Sequence, residues 1–223
     1  MYIQLVDFCN MSCGHCGFAC KKKGETMKDK TFYNILKKME DYFDYITIGG
    51  GEPTLHPNFM KYLVEIIAAN VYSEEGSIFI ATNGSNTKIS LKLANLAKRG
   101  IISAALSRDD YHDEIDEVVV KAFTKEKTNY SDYRHDDFRE IRNVTGHEIK
   151  AGRSRRGREE CICEGIFIKP NGEIRGCGCE DSIVFGNING KFEIPKDWDV
   201  NACYKDQEEC VIIQGETLCI GRL

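Results

Sequence analysis

The sequence predicts an α/β fold: a partial (β/α) barrel, that is, a parallel sheet covered by helices, followed by a small cysteine-rich β-hairpin extension. Three observations carry this expectation. Four strand–helix units succeed one another over residues 2–124. Their strands are short and almost continuously apolar, the pattern of strands buried on both faces. Beyond residue 160 the periodic pattern gives way to closely spaced cysteines around a turn signal.

Each element can be read in order. Residues 2–8, YIQLVDF, form a buried strand, and a loop with four cysteines follows. From Asp29 a helix begins, with Phe32, Ile35, Leu36, Met39 and Phe43 on one stripe at the helical period. DYITIGGGEP is a β-branched strand ending in a glycine turn. HPNFMKYLVEIIAANV is the next helix, with Phe59, Leu63, Ile66 and Ile67 on one side. SIFIATNGS is a strand and turn, and KISLKLANLAKRG a helix closed by Gly100 as its C-cap. IISAALS is the fourth strand, and DEIDEVVVKAF a helix with Ile115, Val118, Val119 and Ala122 inward. Beyond residue 125 the texture turns polar, and FREIRNV is a candidate fifth strand. In IFIKPNGEIRG, Pro170-Asn171-Gly172 marks a hairpin. The expected division is a barrel core over residues 1–155 and a cysteine-rich region over residues 156–223.

Bulk composition narrows the function. A chain of 223 residues suits one domain with a small appendage. Apolar residues at 42% and charged residues at 29% describe a folded protein and argue against disorder. The net charge of -5 argues against a protein that coats duplex nucleic acid. Only the basic run from Arg153 to Arg158 offers a local patch for a phosphate or an acidic peptide. Met1 leads into YIQLV without a basic region or a long apolar segment, and no apolar run approaches the roughly 18–20 residues of a membrane helix, so the expected location is cytoplasmic. Eleven cysteines in a reducing compartment read as metal ligands or catalytic groups before disulfides.

Two motifs carry the chemistry. Cys9, Cys13 and Cys16 follow the first strand as C-x3-C-x2-C. A structural zinc site wants four ligands, commonly in two pairs. Three close thiols suit a 4Fe–4S cluster with one iron left for another ligand. Cys20 and His15 remain alternative fourth ligands. After the second strand come Gly50, Gly51, Glu52 and Pro53. The glycines permit close approach of a ligand, and Glu52 can pair with an ammonium group. The third and fourth strands end in TNGS and LSRDDYHDE. In parallel α/β folds sites form at the carboxyl ends of the strands, so four such loops point to one shared site.

On these motifs, in this order and on these elements, the sequence resembles the radical SAM superfamily. The resemblance covers residues 2–124 well and the tail more loosely. It implies that Cys9, Cys13 and Cys16 hold a 4Fe–4S cluster and that S-adenosyl-L-methionine chelates its fourth iron. Gly50, Gly51, Glu52 and Pro53 would meet the cofactor's amino group. Reductive cleavage would then yield a 5'-deoxyadenosyl radical that takes a hydrogen from the substrate. Asn83, Ser107 and Asp109 match positions that contact the methionine and ribose, and Arg153 matches a GR motif whose arginine meets the methionine carboxylate. Cys20 then reads as a residue packed near the cluster, or a free thiol. His112, Asp110 and Tyr111 are candidates for the cavity wall.

In the tail, Cys161, Cys163, Cys177 and Cys179 flank the hairpin, which brings the two C-x-C pairs side by side. Their spacing resembles the opening of SPASM and twitch extensions, which implies one auxiliary iron–sulfur cluster. Zinc on the same thiols is the alternative, and Cys203 or Cys210 can replace a ligand. The run that completes a SPASM extension is missing, and Cys219 has no assigned role. The function implied is oxidation or crosslinking of a peptide or protein, driven by a reductant of flavodoxin or ferredoxin type. Alternatives are modification of a small molecule, a nucleotide or nucleic acid, a glycyl-radical activase, and a non-enzymatic iron–sulfur or zinc protein.

Overall fold

The computed structural model describes residues 1–70, 76–125, 136–154, 165–180, 182–196 and 198, with the backbone of Cys210–Ile213 and Glu216–Cys219. Four strand–helix units open the chain: β1 (Tyr2–Val6) and α1 (Asp29–Lys38), β2 (Ile46–Gly50) and α2 (Phe59–Ala69), β3 (Ile78–Thr82) and α3 (Thr87–Lys98), β4 (Ser103–Ser107) and α4 (Glu117–Phe123). Then come β5 (Arg139–Arg142), β6 (Phe167–Ile168), β7 (Glu173–Arg175) and β8 (Val184–Asn187), and the pair β9 (Cys210–Ile213) and β10 (Glu216–Cys219).

The sheet order is β5-β4-β3-β2-β1-β6-β7-β8. The pairings from β5 through β1 to β6 are parallel, and β7 and β8 add antiparallel strands at one end. This is the expected α/β sheet of a partial barrel. The expected hairpin is present, its turn at Pro170–Gly172 with Gly172 at φ +89°. It is not a separate layer. β6 pairs directly with β1, Tyr2 opposite Phe167 and Ile3 opposite Ile168, so core and hairpin share one sheet.

The helices bury the stripes that their periodicity predicts. Phe32, Ile35 and Met39 of the first, and Phe59, Leu63 and Ile66 of the second, meet Ile3, Leu5, Ile46 and Ile48 of the sheet. Burying each such side chain stabilises the fold by about 1.5–3 kcal/mol. Asn86 caps α3, its side chain accepting from the Ile89 N–H, and Gly100 closes it at φ +72°.

One helix departs from expectation. Asp116 accepts from the Val118 N–H and caps α4, so the helix starts later than the sequence implied. Its inward residues are Val119, Val120 and Phe123, while Val118 is 45% exposed. Ile115 and Ala122 are partly buried against the core as expected. No helix among the described residues is long and apolar enough to cross a membrane.

Candidate active site

The first four strands end on one cavity of about 600 Å³. Its wall includes Cys9, Cys13, His15 and Cys16 after β1, Gly49 to Pro53 at β2, Thr82 and Asn83 at β3, and Ser107 and His112 at β4. β5 contributes Glu140 and Arg142, and Arg153 closes the rim. All three cysteines of the first motif therefore face one space.

The glycines are explained by how closely two loops approach. The Glu52 N–H donates to the Phe8 carbonyl at 3.0 Å and the Gly51 N–H to the Val6 carbonyl at 3.0 Å. A Cβ on Gly51 would sit 2.0 Å from the Phe8 oxygen, and one on Gly50, whose φ is +153°, 2.3 Å from the Val6 oxygen. Any side chain there would push the cysteine loop off the sheet.

Glu52 holds this junction together. One carboxylate oxygen accepts from the Thr54 N–H at 3.1 Å, the Thr54 hydroxyl at 2.6 Å and the Thr82 hydroxyl at 2.8 Å. The other accepts from the Asn83 N–H at 2.7 Å. The side chain is 1% exposed, and burial pushes its carboxyl above the usual range while these donors pull it back. Its carboxylate ties the end of β2 to the end of β3. Asn83, positioned by that bond, donates from Nδ2 to Cys9 Sγ at 3.5 Å and to Asn10 Oδ1 at 3.0 Å.

Arg153 also acts on the cysteine loop. Its Nε donates to the Cys13 carbonyl at 3.0 Å, its Nη1 to the Cys20 carbonyl, and its backbone N–H to the Cys16 carbonyl. Gly152, at φ +56°, lets the two loops touch, since a Cβ there would lie 2.4 Å from the Cys16 oxygen. Arg155, Arg156 and Arg158 lie outside the described residues.

The thiols differ in acidity. Burial raises Cys9, and burial with its neighbouring thiols pushes Cys13 up to about 11. The hydrogen bond from the Cys20 thiol brings Cys16 down to about 5, and the same contact raises Cys20. Cys20 is thus a buried neighbour of the three-thiol set that donates to one of its sulfurs. Cys9 Sγ accepts from the Met11 N–H at 3.3 Å. Thiols that receive N–H and S–H donors are suited to act as thiolate ligands.

Behind the rim, the Asp109 side chain is buried. It accepts from His112 Nδ1 at 2.7 Å and the Tyr111 N–H at 3.0 Å, and faces His15 Nε2 at 3.7 Å. His15 and His112 line the cavity, whereas Asp109 stands behind them as their anchor. Burial pushes Asp109 up, but the bonds from His112 and Tyr111 outweigh it and the net direction is down. Tyr111 sits outside the wall with its hydroxyl on Glu148 at 2.6 Å, and Asp110 is exposed.

In the hairpin region Cys177 is buried and its N–H donates to the Ser182 hydroxyl at 2.9 Å. The Cys179 N–H points at Cys177 Sγ at 3.4 Å. Phe167, Tyr2 and Phe18 pack between these thiols and the cysteine loop, with ring centroids 4.8 to 5.7 Å apart. Cys161, Cys163 and Cys203 lie outside the described residues, and Cys210 pairs in register with Cys219 across β9 and β10.

The sequence reading missed the rest of the wall: Met1, Tyr2, Tyr45, Thr47, Phe79, Glu140 and Arg142. Strand alternation was the available signal. Thr47 and Gly49, Phe79 and Ala81, and Glu140 and Arg142 are pairs two residues apart, and each pair projects to the same side.

The comparisons with known proteins agree with this geometry. The family model of the radical SAM superfamily matches residues 3–145, and the chain belongs to that superfamily. Among curated proteins it is 29% identical over 117 residues to the putative peptide biosynthesis protein YydG of Bacillus subtilis (strain 168), covering 49% of this chain and 35% of that protein. It is 29% identical over 121 residues to the mycofactocin maturase MftC of Mycobacterium tuberculosis (strain ATCC 25618 / H37Rv), covering 52% of this chain and 29% of that one. The chain therefore spans about a third of the length of these relatives. Among solved structures, BtrN in complex with AdoMet and 2-DOIA superposes with a TM-score of 0.58 at 15% identity, covering 84% of this chain and 76% of that chain. Native anSMEcpe with bound AdoMet gives 0.52 at 15% identity, covering 86% and 78%. These two share the fold.

Membership implies a 4Fe–4S cluster and S-adenosylmethionine. The residues present fit both. Three thiols on one loop face the cavity, two glycines keep the adjoining rim free of side chains, and no fourth thiol stands on the wall among the described residues.

Proposed function

We propose that this chain modifies a peptide or protein, oxidising or crosslinking it, with Cys9, Cys13 and Cys16 holding the 4Fe–4S cluster. The observation that carries this is a single cavity with the three thiols at one end and a wall of strand side chains at the other. The names of two relatives, a peptide biosynthesis protein and a maturase, supply the substrate class. Bound together, the cluster and S-adenosylmethionine supply one-electron cleavage of a sulfonium and removal of a hydrogen atom from the substrate.

The protein's own residues prepare that chemistry. Glu52 holds the β2 and β3 loops in one geometry, so the Gly50–Gly51 backbone and Asn83 meet the cofactor in fixed positions. Ser107 lies on the same rim, with Asp109 orienting His112 beside it. Arg153, on the rim, fastens the cysteine loop through its Nε and Nη1. Cys177 and Cys179, with Cys161 and Cys163, are the proposed ligands of an auxiliary cluster, and a flavodoxin- or ferredoxin-type protein is the proposed reductant.

The test is anaerobic purification, reduction with dithionite and addition of S-adenosylmethionine. The expected product is 5'-deoxyadenosine, with about eight irons per chain, or about four if the tail thiols hold no cluster. Intact clusters with no 5'-deoxyadenosine would overturn the enzyme reading. Product formation without a mass change in any candidate peptide would overturn the peptide reading.

A further inference from the structure

The strand wall of the cavity carries two exposed charges, Glu140 and Arg142, that have no ionic partner among the described residues. β5 joins the sheet through β4 alone, with Ala105 opposite Glu140 and Ser107 opposite Arg142. Its residues alternate. Arg139 faces the helices, where its guanidinium meets Asp137 and the Ala122 carbonyl. Glu140 and Arg142 face the cavity, about 7 Å apart by strand geometry. Among the described residues neither side chain has a hydrogen bond or an ion pair. The contact recorded for Arg142 is with an aromatic face, its Cζ 5.8 Å from the centre of the Phe79 ring.

The direction in which Arg142 leans separates it from the cysteine rim. Its backbone is level with Ser107, at the carboxyl end of β4. Its guanidinium reaches back over Phe79, which is in register with Thr47 and, through it, Tyr2, near the amino ends of their strands. Tyr45 and Met1 line the same end of the cavity. A guanidinium over a ring face keeps its N–H fork free, so it can bind a carboxylate in two-pronged fashion. Glu140 on the same face keeps the wall from being a general anion surface, because it repels a second negative group.

We infer that Arg142 is a specificity-determining residue that reads a carboxylate of the substrate at the strand wall of the cavity, so that the favoured peptide carries an acidic group beside the residue to be modified. This rests on the peptide reading above. Two sources of carboxylate can reach a guanidinium in this cavity, the substrate and the methionine portion of the cofactor. The lean toward Phe79, away from the cysteines, favours the substrate.

The probes are three capped tripeptides, acetyl-Ala-Asp-Ala-amide and its Asn and Lys counterparts. Each is titrated into the reconstituted, S-adenosylmethionine-loaded protein and followed by saturation-transfer NMR. In the unmodified protein the Asp peptide is expected to bind about tenfold or more tightly than the Asn peptide. Arg142→Met removes the preference, Arg142→Lys retains part of it, and Arg142→Glu moves it to the Lys peptide. Cluster absorbance and thermal unfolding confirm that each variant is folded and loaded. Equal affinity for Asp and Asn, binding of neither, or an Asp preference that survives Arg142→Met overturns the inference. So does a loss of affinity for S-adenosylmethionine itself in Arg142→Met, since the carboxylate read would then be the cofactor's. The binding assay requires no turnover. Its failure is therefore separable from failure of the peptide reading, which shows as an absent mass change.

Discussion

The two ends of the cavity are built on opposite plans. At the cysteine rim, several polar groups are engaged by the protein: Glu52 by four donors, Asn83 by a thiol and an amide, Arg153 by two carbonyls of its neighbouring loop. At the strand wall, the exposed Glu140 and Arg142 keep their hydrogen-bonding capacity among the described residues. Preorganised groups hold a ligand that is the same in every cycle, because their geometry is settled before it arrives. Unpaired groups suit a partner that enters and leaves, since binding it breaks no internal bond. On the proposed reading, the first end serves the cofactors and the second a passing substrate.

The sharpest way to break the rim is Cys13→Ala. It removes one of three ligands, so iron content should collapse and 5'-deoxyadenosine formation fall below detection, while Cys20→Ala should leave cleavage measurable with an altered cluster spectrum. Next in size is Glu52→Gln. An amide offers one acceptor where four donors converge, and a stranded buried donor with a lost charge-assisted bond costs about 2–4 kcal/mol. Denaturant unfolding reads this directly, and iron retention should drop with it. Arg153→Met should cost less, about 1–2 kcal/mol, for two bonds to carbonyls at a partly exposed site. Its mark would be faster loss of iron to a chelator. At the wall, Arg142→Met should change stability by no more than about 0.5 kcal/mol. A large destabilisation there would show that the wall is structural after all and erase the contrast.

Much of this was legible in the sequence, and the exceptions have physical reasons. The strand–helix alternation and the two motifs depend on local pattern, and the structure places them as read. The inward face of α4 was misjudged because the stripe was phased from Ile115, whereas the Asp116 cap starts the helix at Glu117 and turns Val120 and Phe123 inward. For Glu52, residue type announced a charge for a ligand. Its satisfaction depends on Thr82 and Asn83, thirty residues away, which no local pattern reveals. Arg142 and Glu140 sit in a strand too short and polar to show which face is inward until β4 pairs with it. The ligand set of the tail rests on Cys161 and Cys163, beyond the described residues, and remains a reading of spacing.

The pairing of β6 with β1 also bears on how the chain is made. Strands β1 to β5 and their helices emerge from the ribosome in spatial order, each beside its predecessor, and can condense as they appear. The outer edge of β1 cannot be covered in this way. Its partner is Phe167–Ile168, so the open backbone of Tyr2 and Ile3 waits until synthesis has passed residue 168. A nascent chain stalled before residue 168 would display the cysteine loop beside an unpaired strand, the kind of edge that recruits other chains. Closure of this flank of the sheet, beside the three thiols, therefore comes after β2 to β5, on the other side of β1, have been made.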